Sequence, residues 1–309
     1  DLPDRHGGLT YVRCDGALED SMRALASAFD EGASSASSST TSSSSATSSG
    51  RIDESEIVGV RSNVLDTHFQ RPQHARLTAN DVISSVRAAL PTGGEAEPPG
   101  VVFAETGAFV CMLEHLYAVH SPNTFFGTSG GRTMGLTIPA MLGARIGSNS
   151  SSSGSSSVVA PAAKMVGIAG DGSTLMRLGE LEVFGRQWQA DPDSMAGGTA
   201  LVIINDGALG TMRSRQRARG MEEYSLTFLQ SGQGQQEAVR GEELPGVDFA
   251  AIAEACGMAG RTVTTPQELD AALEYALCDP TAPPTVIDAR VDPRAYQDSF
   301  GPTIGVPLA

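Results

Sequence analysis

The sequence predicts an α/β protein with a doubly wound, mainly parallel sheet, preceded by a short strand-and-helix segment and a disordered Ser-rich linker. Three observations predict it. Residues 100–104, 165–169, 200–204, 261–263 and 285–289 are short apolar or β-branched runs bounded by Gly, Pro or polar turn residues, which is the pattern of buried strands. Between them lie longer segments with apolar residues at helical spacing, and strands alternating with helices form parallel sheets through crossover connections. Residues 33–50 are almost wholly Ser, Ala, Thr and Gly, too small and polar to bury.

In chain order, residues 1–31 read as a strand at 9–14 and a helix at 17–29, with Met22, Leu25 and Phe29 as its apolar stripe. One strand and one helix make no core of their own. Residues 32–76 are the linker, and the main domain is expected over 77–295. Thr78 is an N-cap and Asp81 its N3 partner at the start of a helix through Val82 and Ile83. Strand 100–104 exits through Glu105-Thr106-Gly107. His115 and His120 follow on a helix-like segment without the spacing of a metal pair. The glycine-rich stretch 128–135 enters a helix through Ile138, Leu142 and Ile146. Residues 148–157 are a second Ser-rich run, expected as a surface insertion, since closure entropy grows only slowly with loop length.

Residues 166–210 carry the chemistry. The strand at 165–169 ends in Gly170-Asp171-Gly172-Ser173, and Leu178, Leu181, Phe184 and Trp188 mark the helix behind it. Strand 200–204 then runs into Asn205-Asp206-Gly207-Ala208-Leu209-Gly210. Parallel strands joined by a helix end at one edge of the sheet, so Asp171 and Asp206 are neighbours. Two carboxylates on glycine-bearing loops at that edge suit a hard cation of the magnesium type. The amides of Gly172 and Ser173, at a helix start, point toward an anion. A phosphohydrolase-type aspartate site would sit on a similar sheet but has no need of the Asn-Asp-Gly turn.

Beyond this unit, Arg213, Arg215, Arg217 and Arg219 read first as a solvated basic face, with a substrate anion contact as the alternative. Residues 220–246 are polar and read as a mobile loop able to close over the site. Helices at 248–256 and 266–277 flank strand 261–263, and an irregular tail runs over 296–309. A net charge of −15 argues against nucleic acid or an anionic membrane surface as partner. The four cysteines lack framework or metal spacing and there is no long apolar run, so the expected place is intracellular, cytoplasmic by default. The chain begins at Asp1 rather than Met, which leaves an organelle open.

Gly170-Asp171-Gly172-Ser173, Glu180-Leu181 and the run from Ile204 to Arg213 together resemble the motif of thiamine-diphosphate enzymes of the acetolactate synthase, pyruvate oxidase and benzaldehyde lyase group. The resemblance covers roughly residues 77–293, the C-terminal diphosphate-binding domain. It implies Mg2+ held by Asp171, Asp206 and the carbonyl of Ala208, with diphosphate against Gly170, Gly172, Ser173 and Gly207. It also implies that Gly107 contacts the diphosphate, that Met134 supports the bent cofactor, and that the carbonyl of Arg132 receives the 4′-amino group. Asp206 departs from the commoner asparagine, Arg132 from glycine, and Ala108 and Phe109 from polar residues.

By the same resemblance the substrate is a 2-oxo acid or related carbonyl compound, and the thiazolium ring accepts the electrons released by decarboxylation or carbon–carbon cleavage. The activating glutamate comes from a pyrimidine-binding domain or subunit, in a homo-oligomer such as a dimer or tetramer. No such domain is visible here, and residues 1–31 fall where the family has the end of its middle domain, so the resemblance makes them a remnant of a preceding α/β domain. FAD, used in part of this group, is left open because its site lies mainly in that middle domain. A degenerate, non-catalytic cofactor-binding module is the alternative reading.

Overall fold

The computed structural model describes residues 75–94, 97–127, 133–149, 159–160, 162–195, 198–222, 226, 228 and 247–293. The expectations for residues 1–31, for all but the end of the linker, for Arg132, for most of the 148–157 run, and for the tail fall outside the described residues.

Helix α1 (Ala79–Ala89) starts where its cap chemistry puts it. Thr78 Oγ1 accepts the Asp81 N–H at 3.3 Å, and Asp81 Oδ2 accepts the Thr78 N–H at 2.8 Å. Six strands follow: β1 (Val101–Ala104), β2 (Phe125–Gly127), β3 (Met165–Gly170), β4 (Thr199–Asn205), β5 (Ala259–Val263) and β6 (Thr285–Arg290). All pairings are parallel, in the order β2-β1-β3-β4-β6-β5. The sequence predicts five of them. The sixth, β2, is a three-residue edge strand, too short to show a period, and Phe126 on it stacks on Phe103 with ring centroids 5.0 Å apart.

The helices between the strands are α2 (Val110–Leu116), α3 (Thr137–Asn149), α4 (Asp171–Leu175), α5 (Gly179–Ala190), α6 (Gly210–Ala218), α7 (Phe249–Ala255) and α8 (Pro266–Cys278). Alternate strand residues face opposite ways and so define two cores. Val166, Ile168, Val202, Ile204 and Ile287 pack with α1, α2 and α8. Met165, Ala169, Leu201, Ile203 and Val286 pack with α3, α5 and α7. Helices cover both faces, the doubly wound arrangement.

The approach of α3 is set by one residue. A Cβ on Gly167 of β3 would run into Met141 Sδ and come within 2.9 Å of Thr137 Cγ2, so the helix lies where only glycine lets it. The register then places the chemistry. Gly170 pairs with Ile204 and Ala104 with Ile168, so β1, β3 and β4 all end at one edge.

Candidate functional site

Asp171 opens α4 immediately after β3, and its carboxylate reaches across to the β4 exit. Oδ1 accepts the Gly172 N–H at 2.7 Å, while Oδ2 accepts the N–H groups of Gly207 at 2.8 Å and Ala208 at 3.2 Å. Gly207 has φ +72°, a conformation that side chains adopt only with strain, and this turns its amide toward the carboxylate. Asp206 Oδ1 accepts the Ala208 N–H at 3.0 Å. Its other oxygen lies against the start of α6, where a Cβ on Gly210 would come within 2.6 Å of it. The structure thus brings Asp171, Asp206, Gly207 and Ala208 together, as the crossover argument requires.

Both carboxylates are buried, Asp171 at 5% and Asp206 at 4% exposure. Burial pushes Asp171 up to about 7, although the amides of Gly172, Gly207 and Ala208 pull it down. Asp206 is pushed well up by burial and then by the Asp171 charge, against the Ala208 amide and the charge of Arg213. Burial thus favours the protonated form of both carboxyls, a bias that a nearby positive charge would oppose. Their oxygens, with the Ala208 carbonyl, make an all-oxygen donor set that fits a hard divalent cation. Among the described residues no group of three or more His, Cys, Asp or Glu side chains could hold a metal. A cation here would therefore need main-chain or external oxygens as well.

Met134 lies on the approach to α3. Its Cε is 3.9 Å from the Cβ position of Gly172, with Leu209 Cδ2 at 2.9 Å and Phe228 Cζ at 3.5 Å from the same point. Three apolar side chains therefore converge on the Gly-Asp-Gly turn. Phe228 arrives because its N–H donates to Gly207 O and the Leu209 N–H to Leu226 O, both at 2.8 Å. Of the stretch 220–246, expected as a closing loop, only 220–222, 226 and 228 lie within the described residues, and Leu226 and Phe228 bond to the motif.

Three expectations need correction. The Gly172 amide already donates to Asp171, so it does not face an open anion site. The helix behind the motif is broken: α4 has five residues, and α5 starts only at Gly179, so little helix dipole stands behind Ser173. Arg213 is not on a solvated face but 5% exposed, close enough to lower the pKa of Asp206, whereas Arg215 and Arg219 are exposed. Ala108 and Phe109 turn into the core, and Phe109 packs on Gly107, so this exit turn offers its backbone rather than polar side chains.

Glu105 is the residue that sequence reasoning undervalues. It is 1% exposed and accepts the Leu136 N–H at 2.5 Å. Burial raises its pKa, opposed by the amides of Leu136, Thr137 and Gly135 and by the Ser173 hydroxyl. One carboxylate thus caps α3 from another element and binds the motif serine. Its sequence signal is a carboxylate at the carboxyl end of a buried strand. Arg177 adds a second tie, Nε to Gly135 O at 3.2 Å.

A match to the family described as "Thiamine pyrophosphate enzyme, C-terminal TPP binding domain" extends over residues 105–289, from Glu105 through β6 to Ala289. The chain belongs to this family. This TPP-binding domain is 25% identical over 245 residues to a 3D-(3,5/4)-trihydroxycyclohexane-1,2-dione hydrolase of Halalkalibacterium halodurans, covering 79% of this chain and 31% of the relative. It is 27% identical over 224 residues to an acetolactate synthase large subunit of Parasynechococcus marenigrum, covering 71% and 29%. The solved structure of a thiamine diphosphate-dependent 4-hydroxybenzoylformate decarboxylase from Rhodococcus jostii shares the fold, with TM-score 0.52 and 20% identity over 72% of this chain and 34% of that one. The chain spans about a third of the length of these relatives. Among the described residues no helix is long and apolar enough to cross a membrane.

Proposed function

We propose that the chain is the thiamine-diphosphate- and Mg2+-binding catalytic half of a 2-oxo-acid decarboxylase, lyase or carboligase of the acetolactate synthase type, completed by a pyrimidine-binding domain or subunit in a homo-oligomer. The supporting observation is the Asp171 carboxylate laid across the Gly207 and Ala208 amides beside the buried Asp206, inside the family match. Asp171, Asp206 and the Ala208 carbonyl would hold Mg2+. The diphosphate is assigned to the turns that carry Gly170, Ser173 and Gly207, with the backbone at Gly107 as a further contact. The Arg132 carbonyl is the proposed acceptor for the 4′-amino group.

Bound thiamine diphosphate supplies a thiazolium carbon that adds to a carbonyl and takes up the electron pair of the broken carbon–carbon bond. The chain's own residues do the rest. Burial, and for Asp206 also the Asp171 charge, hold both carboxyls above the ordinary aspartate range, so an arriving cation favours their ionised forms and couples cofactor binding to metal. Met134, Leu209 and Phe228 form an apolar wall that excludes water beside the motif. Glu105 fixes the α3 entry and thereby Met134.

Calorimetric titration of thiamine diphosphate, with and without Mg2+, tests this reading. Metal-dependent binding in the micromolar range (on the order of −8 kcal/mol) that disappears in Asp171→Ala is the expected result. Binding indifferent to both would overturn it. The inward turn of Ala108 and Phe109 favours a second reading, a degenerate module, which predicts binding but no turnover once the complementary domain is supplied.

A further inference from the structure

Asp288, on β6, is 0% exposed and lies outside every residue discussed so far. Its Oδ1 accepts Asn205 Nδ2 at 2.8 Å, and its Oδ2 accepts Arg290 Nη2 at 2.8 Å and the Phe249 N–H at 3.3 Å. Val247 O receives both Asn205 Nδ2 at 3.1 Å and Arg290 Nη2 at 3.0 Å. Asn205 therefore has its amide nitrogen committed to Asp288 and Val247. Its Oδ1 is left facing the other way, where it accepts the Gly207 N–H at 3.2 Å, the same N–H that Asp171 accepts.

A carboxylate fully inside a sheet is costly unless its partners give something in return. Here two acceptors, Asp288 Oδ1 and Val247 O, orient one amide side chain, and the oxygen of that amide accepts the N–H of Gly207 in the turn that also carries Ala208. We infer that Asp288 is a positioning residue that, through Asn205, holds the Gly207–Ala208 turn in the geometry that receives Asp171. This rests on the proposed function for its consequence, namely cation and cofactor affinity, but its structural half stands independently. Partners of ligands tune affinity by about 10–100-fold in metal sites generally.

The test uses the full chain as wild type, Asn205→Ala, Asp288→Asn and the double variant. Asp288→Asn keeps the shape but puts an NH2 group in place of one of the two acceptor oxygens, either the one that faces Asn205 or the one that faces Arg290 and Phe249. Hydrogen exchange is followed on peptides covering 205–210, with peptides of β1 and β3 as reference, beside calorimetric titration of Mg2+ with thiamine diphosphate. In Asp288→Asn the 206–208 amides should exchange at least about tenfold faster while β1 and β3 keep their protection. Metal-dependent affinity should fall about 10–100-fold. The double variant should be no worse than the worse single one, because both changes cut one link.

Faster exchange spread evenly over β1 and β3 would make Asp288 a general packing group and overturn the inference. Additive effects of the two changes would overturn it as well. If wild type binds no cofactor, the functional reading fails and exchange alone decides the positioning role. If Asp288→Asn does not fold, Asn205→Ala carries the test, since it leaves the Asp288–Arg290 pair in place; unchanged protection at 206–208 would then overturn the inference.

Discussion

Asp171 and Asp206 titrate in a way that can be measured without any cofactor. Asp171 stands at about 7 in the fold against an ordinary 3.8, so between these values the folded chain binds a proton that the unfolded chain has lost. Stability then falls as pH rises through this window, because the unfolded state binds fewer protons than the native one. The metal-free chain is expected to melt at a higher temperature near pH 5 than near pH 8, and Asp206→Asn should lessen the difference by removing one of the two raised carboxyls. Saturating Mg2+ should reverse the slope, since protons and cation compete for the same oxygens. Thermal melts across pH with and without Mg2+ check all three. The aspartates were legible in the sequence because their motif is local and the crossover rule brings its halves together. Glu105 and Arg213 were not, because their burial depends on α3 and α6 folding back over the edge. Glu105→Ala leaves the α3 amides unsatisfied and should cost about 1–3 kcal/mol, read by denaturant unfolding.

Among the elements, those with local punctuation were legible and those without were not. Thr78 and Asp81 mark the start of α1, and Thr265 and Glu268 form the same reciprocal pair ahead of Pro266 in α8. Thr265→Ala should lower stability by about 1 kcal/mol, measurable by urea unfolding with an unchanged slope. Strand β2 has neither punctuation nor length; it exists because Phe125 and Phe126 find Tyr117 and Phe103 beside them. The break between α4 and α5 was invisible for another reason, since residues 171–188 keep one apolar stripe across it. Gly167 shows how a single position fixes two elements: Gly167→Ala forces α3 off β3 through Met141 and Thr137. The expected loss is about 1–3 kcal/mol, partly restored by Met141→Ala, and a double-variant unfolding series decides it.

At the scale of the molecule, the parallel sheet gathers a metal-suited aspartate pair, three apolar side chains and a cap at one edge. Among the described residues the buried glutamate at that edge is Glu105, and it is committed to the α3 amides and Ser173. The match covers about a third of these relatives, so most of their length lies outside it, and we place the activating group in a complementary domain. The isolated chain is therefore expected to bind thiamine diphosphate with Mg2+ and to show no product from pyruvate. Adding the complementary pyrimidine-binding domain should restore turnover, and Glu105→Gln should leave that restored rate within about tenfold if Glu105 acts only by holding α3. Turnover of pyruvate by the chain alone, measured by product formation, would place the activating group inside these residues and would make Glu105 the first residue to re-examine.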